Sequence, residues 1–385
     1  VDIRDVTSDD LDAVLDLRMR AFGPIPAADR ERWRQGTLPA LTEGRYVGVF
    51  DGPRLVAAAR LRPFTQWWHG KPQPMAGVAA VTVNPEDRGK GIGGRLMRAT
   101  VERAVALGDA VSALYPATTP LYRSAGYEHA GARHRVRLRA ESLRTIPPSG
   151  EVKLRRMGPG DAAELVSVLR QAHGAARASG PVSCDERTWG RLLESENDFL
   201  YLAQDGYVIY RWQGQDIEVD NLVAGSEETS RALWSLVGSA SSMAEHVTAS
   251  VAPDDPVLWL LRERSTEQVE LVRWMSRVLD VAAAVERRGY PAVVAGDAVV
   301  EVADRLRPGN TGRWRLEFSG GAGAATPLGD SAASGPVLSI NGFSALYAGI
   351  PAATLRRSGL MSGHERYDEL LDAAFAAKPY MLDYF

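Results

Sequence analysis

The chain has 385 residues, with 45 basic and 48 acidic side chains that leave a formal charge of −3. Its length suits two or three domains, and 45% hydrophobic content is enough to give each a core. The near balance of charge excludes nucleic acid or an anionic membrane as a partner recognised by net charge, and the lone Cys184 excludes an internal disulfide or a cysteine-based metal site.

In chain order, "VDIR" predicts a strand, "TSDD" a cap, and "LDAVLDLRMRAF" a helix with Leu11, Val14, Leu15 and Met19 on one face. The opening carries acids where a secretory leader is basic and then apolar, and no run of 18 apolar residues occurs, so a cytoplasmic protein is expected. "GRYVGVFDGPRLVAAARLRPF" alternates like a hairpin about Asp51-Gly52. "AAVTVNPEDRGKGIGGRLMRATVERAVAL" then reads strand, loop and helix, followed by the strand "AVSALYP" and by "LYRSAGYEHAG".

From residue 152 the same order returns. "VKLRRMGPGDAAELVSVLRQAHG" repeats strand and helix, "DFLYLAQDGYVIYRW" repeats a hairpin about Asp205-Gly206, and "EVDNLVAGSEETSRALWSLVGSASSM" repeats strand, loop and helix. After about residue 275 the pattern becomes a small α+β segment. It holds the helix "RVLDVAAAVERRGY", strands in "DAVVEVADRL" and "GRWRLEFSG", a turn-rich loop "GGAGAATPLGDSAASG" and the helix "DELLDAAFAA". The last residues, "KPYMLDYF", are aromatic where chain ends are usually polar and frayed.

The most informative stretch is "NPEDRGKGIGGRLM". A strand ending at Val83 and a helix beginning near Gly93 place the backbone N–H groups of residues 88 to 94 around one concavity, where free donors bind phosphates. Gly89, Gly91, Gly93 and Gly94 let a bulky anion approach the backbone around Ile92, and Arg88 and Lys90 add positive charge. The spacing Arg88-x-x-Gly91-x-Gly93 is neither a Walker loop nor a dinucleotide fingerprint. With Tyr122, Gly126 and Tyr127 of "LYRSAGYEHAG" downstream, it resembles the acetyl-CoA pyrophosphate loop of the GCN5-related N-acetyltransferases (GNAT).

Aligning "LYRSAG" with "LLRERS" sets Leu261 opposite Tyr122, an offset of 139 that places Glu227 to Ala232 opposite Arg88 to Gly93. The second copy thus puts acids where phosphates would sit. The expected fold is α/β (α+β): two tandem GNAT-like domains, 1–150 with the cofactor loop and 151–275 without it, then a sterol-carrier-protein-like α+β domain over 276–385. This order, with an aromatic carboxylate at the end, resembles the enhanced intracellular survival (Eis) family. The resemblance implies acetyl transfer from acetyl-CoA, as co-substrate and without a metal, to amines that include aminoglycosides. It also implies a homo-oligomer, a hexamer in that family.

Within that resemblance, Tyr122 is the general acid, with Tyr127 as its rival, and the α-carboxylate of Phe385 is the general base, ionised at pH 7 with an ordinary pKa of about 3.3 to 3.7. The base matters because an alkyl amine with pKa near 10.4 loses its proton at pH 7 at a cost of roughly 4.6 kcal/mol. Val81, Thr82 and Val83 pair with the pantetheine arm and supply an oxyanion donor, flanked by Ala117 and Thr118. Trp33, Trp67 and Trp68 are candidates for the acceptor pocket. Tyr384 stands where the family commonly carries an acid, with Asp383 one step back, which weakens the aminoglycoside expectation. His129, His134 and His173 lack metal-ligand spacing and are expected at the surface. The acceptor stays open among aminoglycosides, polyamines and lysine side chains. A lipid or sterol carrier and a non-catalytic acyl-CoA-binding scaffold are the competing classes.

Overall fold

The computed structural model describes residues 1–262, 268–329 and 334–385. The first copy contributes β1 (Asp2–Asp5), β2 (Tyr46–Asp51), β3 (Arg54–Trp68), β4 (Lys71–Val83), β5 (Val111–Leu114) and β6 (Glu128–Arg139). The second contributes β7 (Arg155–Arg156), β8 (Val182–Ser183), β9 (Phe199–Leu202), β10 (Gly206–Gln213), β11 (Asp216–Ala224), β12 (His246–Val251) and β13 (Gln268–Val278). Both predicted hairpins form: Asp51 pairs with Arg54, and β9 pairs with β10.

The two copies share one sheet. Among the described residues it has 13 strands in the order β1-β2-β3-β4-β5-β13-β6-β12-β11-β10-β9-β7, with β8 on β3. The copies exchange their late strands: β13 lies between β5 and β6, and β6 lies between β13 and β12. Nine residue pairs from Gln268↔Arg137 to Ser276↔Glu128 join β13 to β6 antiparallel at the centre. The exchange buries Trp274 completely, 6.5 Å from Trp68. Segments 1–150 and 151–275 therefore share their central strands.

The third domain has its own sheet, β16-β15-β14-β17-β18, from β14 (Gly296–Ala303), β15 (Gly312–Ser319), β16 (Ala322–Leu328), β17 (Pro336–Ser339) and β18 (Met361–Gly363). Part of the segment read as a loop is thus a strand. Ala322–Leu328 pairs with β15 at the sheet edge, where small residues and Pro327 are tolerated. Residues 330–333 of that segment, and 263–265 of "LLRERS", lie outside the described residues.

Two buried arginines lock this domain to the first. Arg277 of β13 pairs with Asp304 at 2.7 Å, both side chains almost inaccessible, and donates to Ala125 O at 2.8 Å. Gly126 is required there: its φ is +86°, and a Cβ would fall on the Arg277 guanidinium. Arg288 is fully buried and has no carboxylate partner among the described residues. It donates to the carbonyls of Tyr347, Gly289 and Phe375 and lies within 5.2–5.4 Å of the rings of Trp68, Tyr290, Tyr347 and Phe375. Phe375 ends the last helix, Asp368–Phe375, so Arg288 fixes where the tail departs.

From Ala376 the tail leaves the third domain and runs between the two copies. Tyr380 N donates to Ser179 O at 3.1 Å, and Tyr380 bridges Ala132 in parallel. Gly131 and Gly180 admit it, since a Cβ on either would come within 2.5 Å of a tail carbonyl oxygen. Met381 and Leu382 are buried.

Candidate active site

The site begins where β4 and β5 part. They pair in parallel only over Met75–Gly77 and Val111–Ala113, after which β4 runs on to Val83 with one edge free. A bulge assists the divergence: the β3–β4 register shifts between Ala58↔Thr82 and Arg60↔Ala79, and Ala80 takes φ +50°. Asn84 N donates to Val56 O on the β3 side, so by strand alternation the amides of Val83 and Val81 face the open edge. An extended ligand entering this fork meets unpaired backbone donors.

Beyond the fork, residues 84–91 link β4 to the helix Ile92–Ala106. Gly89 and Gly91 have φ of +77° and +73°, a conformation that favours glycine, and no atom lies within 4 Å of a Cβ at either. Gly91 provides no side-chain cap, and the first intrahelical bond is Arg95 N to Gly91 O at 3.3 Å. The N–H groups of Ile92, Gly93 and Gly94 therefore lack helical acceptors and suit an anion. Arg88 is exposed, with Nε 3.4 Å from Val83 O. Lys90 is less free, because its ammonium pairs with Asp87 at 2.9 Å while Asp87 also holds Arg54.

The chain's last residue reaches the same fork. The Phe385 ring packs 4.8 Å from Phe64 and 5.6 Å from Tyr115, and a Cβ on Gly77, the last β4 residue paired with β5, would lie 2.9 Å from it. Tyr115 was not singled out by sequence. Its hydroxyl donates to Asp383 O at 2.8 Å, and its ring lies 4.4 Å from Tyr384. The only sequence signal was an aromatic residue at the end of a strand beside Ala117.

The two candidate tyrosines separate clearly. Tyr127 is fully buried and its hydroxyl lies 2.8 Å from Ser112 Oγ, which itself donates to Ala76 O, so Tyr127 is the donor of that pair. Tyr122, in the helix Thr119–Ser124, is 5% exposed, and its hydroxyl has no hydrogen-bond partner among the described residues. Burial and the neighbouring Tyr384 push its pKa up, keeping it protonated at neutral pH.

Other expectations scatter. Ala117 and Thr118 are exposed on the far lip, with Thr118 at the N-cap of the Thr119–Ser124 helix. Trp68 is core, its Nε1 donating to Gln66, and Trp33 packs against the cluster of Val14, Leu17 and Leu41. Trp67 is 3% exposed and packs tilted against His173, with ring centroids 4.9 Å apart. His173 is therefore buried rather than at the surface. Burial lowers its pKa to about 4, because an apolar helix face cannot solvate an imidazolium.

The second copy departs from its alignment. Only Gly225 and Ser226 link β11 to the helix Glu227–Gly238, and Ser226 caps it by accepting from Thr229 N. Ser226 thus matches Gly91, an offset of 135 rather than 139. The second copy has lost the loop altogether, and Glu227 and Glu228 lie in the first turn of an already capped helix.

A strand fork leading to an uncapped helix N-terminus offers free backbone donors suited to an extended anionic ligand, the framework of an acyl-CoA-dependent transferase. Residues 2–130 and 180–278 match acetyltransferase (GNAT) domain families, and 281–382 match a sterol carrier protein domain. A GCN5-related N-acetyltransferase from Kribbella flavida is 44% identical with a TM-score of 0.96, over 100% of this chain and 98% of that one. An uncharacterized N-acetyltransferase of Streptomyces avermitilis is 28% identical, over 90% of each chain. Eis1 from Mycobacterium abscessus shares the fold across the full length of both chains, with a TM-score of 0.79 at 23% identity. The chain belongs to the GCN5-related N-acetyltransferases, enzymes that use acetyl-CoA.

Proposed function

We propose that this enzyme moves an acetyl group from acetyl-CoA to a primary amine at the β4–β5 fork, with Tyr122 as general acid and the carboxylate at Phe385 as general base. The observation that carries the reading is the Phe385 ring seated against Gly77, where the strands part, beside Phe64 and Tyr115. Acetyl-CoA supplies the activated thioester, and the chain's own groups do the rest. The amides of Val81 and Val83 hold the pantetheine arm and take up charge developing on the carbonyl oxygen. The amides of residues 92–94, with Arg88, hold the pyrophosphate.

As the C–N bond forms and the C–S bond breaks, the amine proton passes to the terminal carboxylate and Tyr122 O–H protonates the departing sulfur. The tyrosinate regains its proton from solvent, and the product is an amide plus free CoA thiol. Phe318, Phe343 and Phe375 fill the interior of the third domain, which favours a domain that delivers its tail over one that carries lipid. Assembly of several copies, six in the resembled family, is part of the reading and is measured by sedimentation.

The test is an appended glycine after Phe385, which moves the carboxylate by about 3.5 Å. Turnover should collapse while acetyl-CoA affinity and melting temperature hold. An extended protein that stays folded and acetylates amines at the parent rate eliminates the terminal carboxylate as base.

A further inference from the structure

Beside the fork, three arginines have no carboxylate partner among the described residues. Arg60 and Arg62 leave β3 on the same face as Phe64, by strand alternation, and Arg191 comes from the helix Glu186–Leu192 of the second copy. The Arg62 guanidinium lies 5.0 Å from the centroid of the Phe64 ring, which is itself 4.8 Å from Phe385. Arg60 Nη2 donates to Gly36 O at 3.1 Å, whereas the Nε atoms of Arg60 and Arg191 are buried without an acceptor. Arg62 and Arg191 both add positive potential at Arg60, and burial is the main cause that lowers the pKa of Arg60 and of Arg62.

The acids that act on these cations form no ion pair with them among the described residues. Glu43 pairs with Arg187 at 2.7 Å, Asp185 accepts from Thr188 N at 2.8 Å, and Asp383 accepts from Asn221 at 3.2 Å. The Cys184 thiol near Arg62 stays neutral, its pKa raised to about 12 by burial. Cations held half-buried without a paired counter-ion are costly, and at the wall of a substrate cleft a ligand that brings a charge into contact recovers that cost.

We propose that the acceptor is a small amine that also carries a carboxylate or phosphate, bound with its anion on Arg60 and Arg62 and its amine toward Phe385. This rests on the acetyl-transfer reading above and names the substrate class of that site. Arg191 closes the far side from the second copy, so anion recognition spans the boundary between the copies. A polycationic amine meets repulsion there instead.

The experiment compares matched amines by acetyl-CoA-dependent thiol release. Lysine against cadaverine differs by one carboxylate, O-phosphoethanolamine against ethanolamine by one phosphate, and an aminoglycoside serves as the polycation. At least one acid-bearing amine should exceed its acid-free partner in kcat/KM by about tenfold or more, and the pair that does so identifies the anion. Arg62→Met should reduce that ratio by about 10- to 100-fold, mostly through KM, and Arg62→Lys should restore part of it. Melting temperature and acetyl-CoA binding establish that each variant is folded, and Arg191→Met provides a rim variant should Arg62→Met not fold. Acid-free or polycationic amines turned over as well as the acid-bearing ones overturn the anion site and leave acetyl transfer standing. Absence of thiol release with every amine overturns both.

Discussion

The two copies carry the same fork and use it differently. In the first, β4 and β5 part after Gly77↔Ala113, an eight-residue link follows, and the next helix starts uncapped at Gly91. In the second, β11 and β12 part after Val219↔Ala249, a two-residue link follows, and Ser226 caps the helix from within. A cavity of about 460 Å³ remains at the second fork, lined by Leu222, Val223 and Asp255 and by Tyr380 and Leu382 of the tail. Asn221, just past that fork, holds Asp383. The first fork stays open at its strand edge and helix N-terminus, and the second anchors the segment that ends in the first.

The largest expected effect breaks the first fork. Gly91→Glu adds a side chain at φ +73° and a negative charge at a free helix N-terminus. Acetyl-CoA binding should fall below detection, a loss of at least about 100-fold from the backbone and charge penalties together. Calorimetry on the parent should give one site per chain, and two equivalent sites would erase the distinction between the copies.

Next comes Tyr122→Phe, which should keep cofactor affinity and lower kcat by about 10²- to 10⁴-fold. Tyr127→Phe removes a buried hydrogen bond to Ser112 and should instead cost about 1 kcal/mol of stability with kcat preserved. A kcat loss in Tyr127→Phe alone would reverse the assignment.

Local pattern made much of this legible. The repeat, the glycine loop and the aromatic tail are all contiguous in sequence, where hydrophobic periodicity and turn chemistry act. The exchange of β6 and β13 was not legible, because pairing between Trp274 and Gly131 depends on which of two equivalent seams each strand fills. The offset of 139 matches side chains across a deleted loop, and only the helix caps at Gly91 and Ser226 locate the gap. Arg60 and Arg62 read as the polar half of an alternating strand. Their lack of acids becomes visible only once Glu43, Asp185 and Asp383 are seen bound elsewhere.

The smallest effect sharpens the contrast at the second fork. Asp255 lies just before the short helix Val257–Leu260, and its Oδ1 accepts from Val257 N at 3.0 Å. Burial raises its pKa from 3.8 to about 6, against the lowering effect of its backbone bonds. A carboxyl with a raised folded-state pKa contributes stability that is full below about pH 4 and is lost as pH rises through 6. Asp255→Asn keeps an acceptor for Val257 N and removes the desolvated charge. The variant should be more stable than the parent at pH 7 by on the order of 1 kcal/mol, a figure discounted because Asp255 is only partly buried. That advantage should shrink from pH 6 to pH 4. His173, lining the same cavity with its pKa lowered to about 4, works in the opposite sense, destabilising the fold as pH drops below 6.5, but it is present in both proteins and cancels in the difference. Denaturant melts of both proteins between pH 4 and pH 7 provide the measurement. A variant less stable than the parent at pH 7 would mean that the surroundings stabilise the Asp255 carboxylate rather than desolvate it, making the second fork a charged site rather than a vacated one.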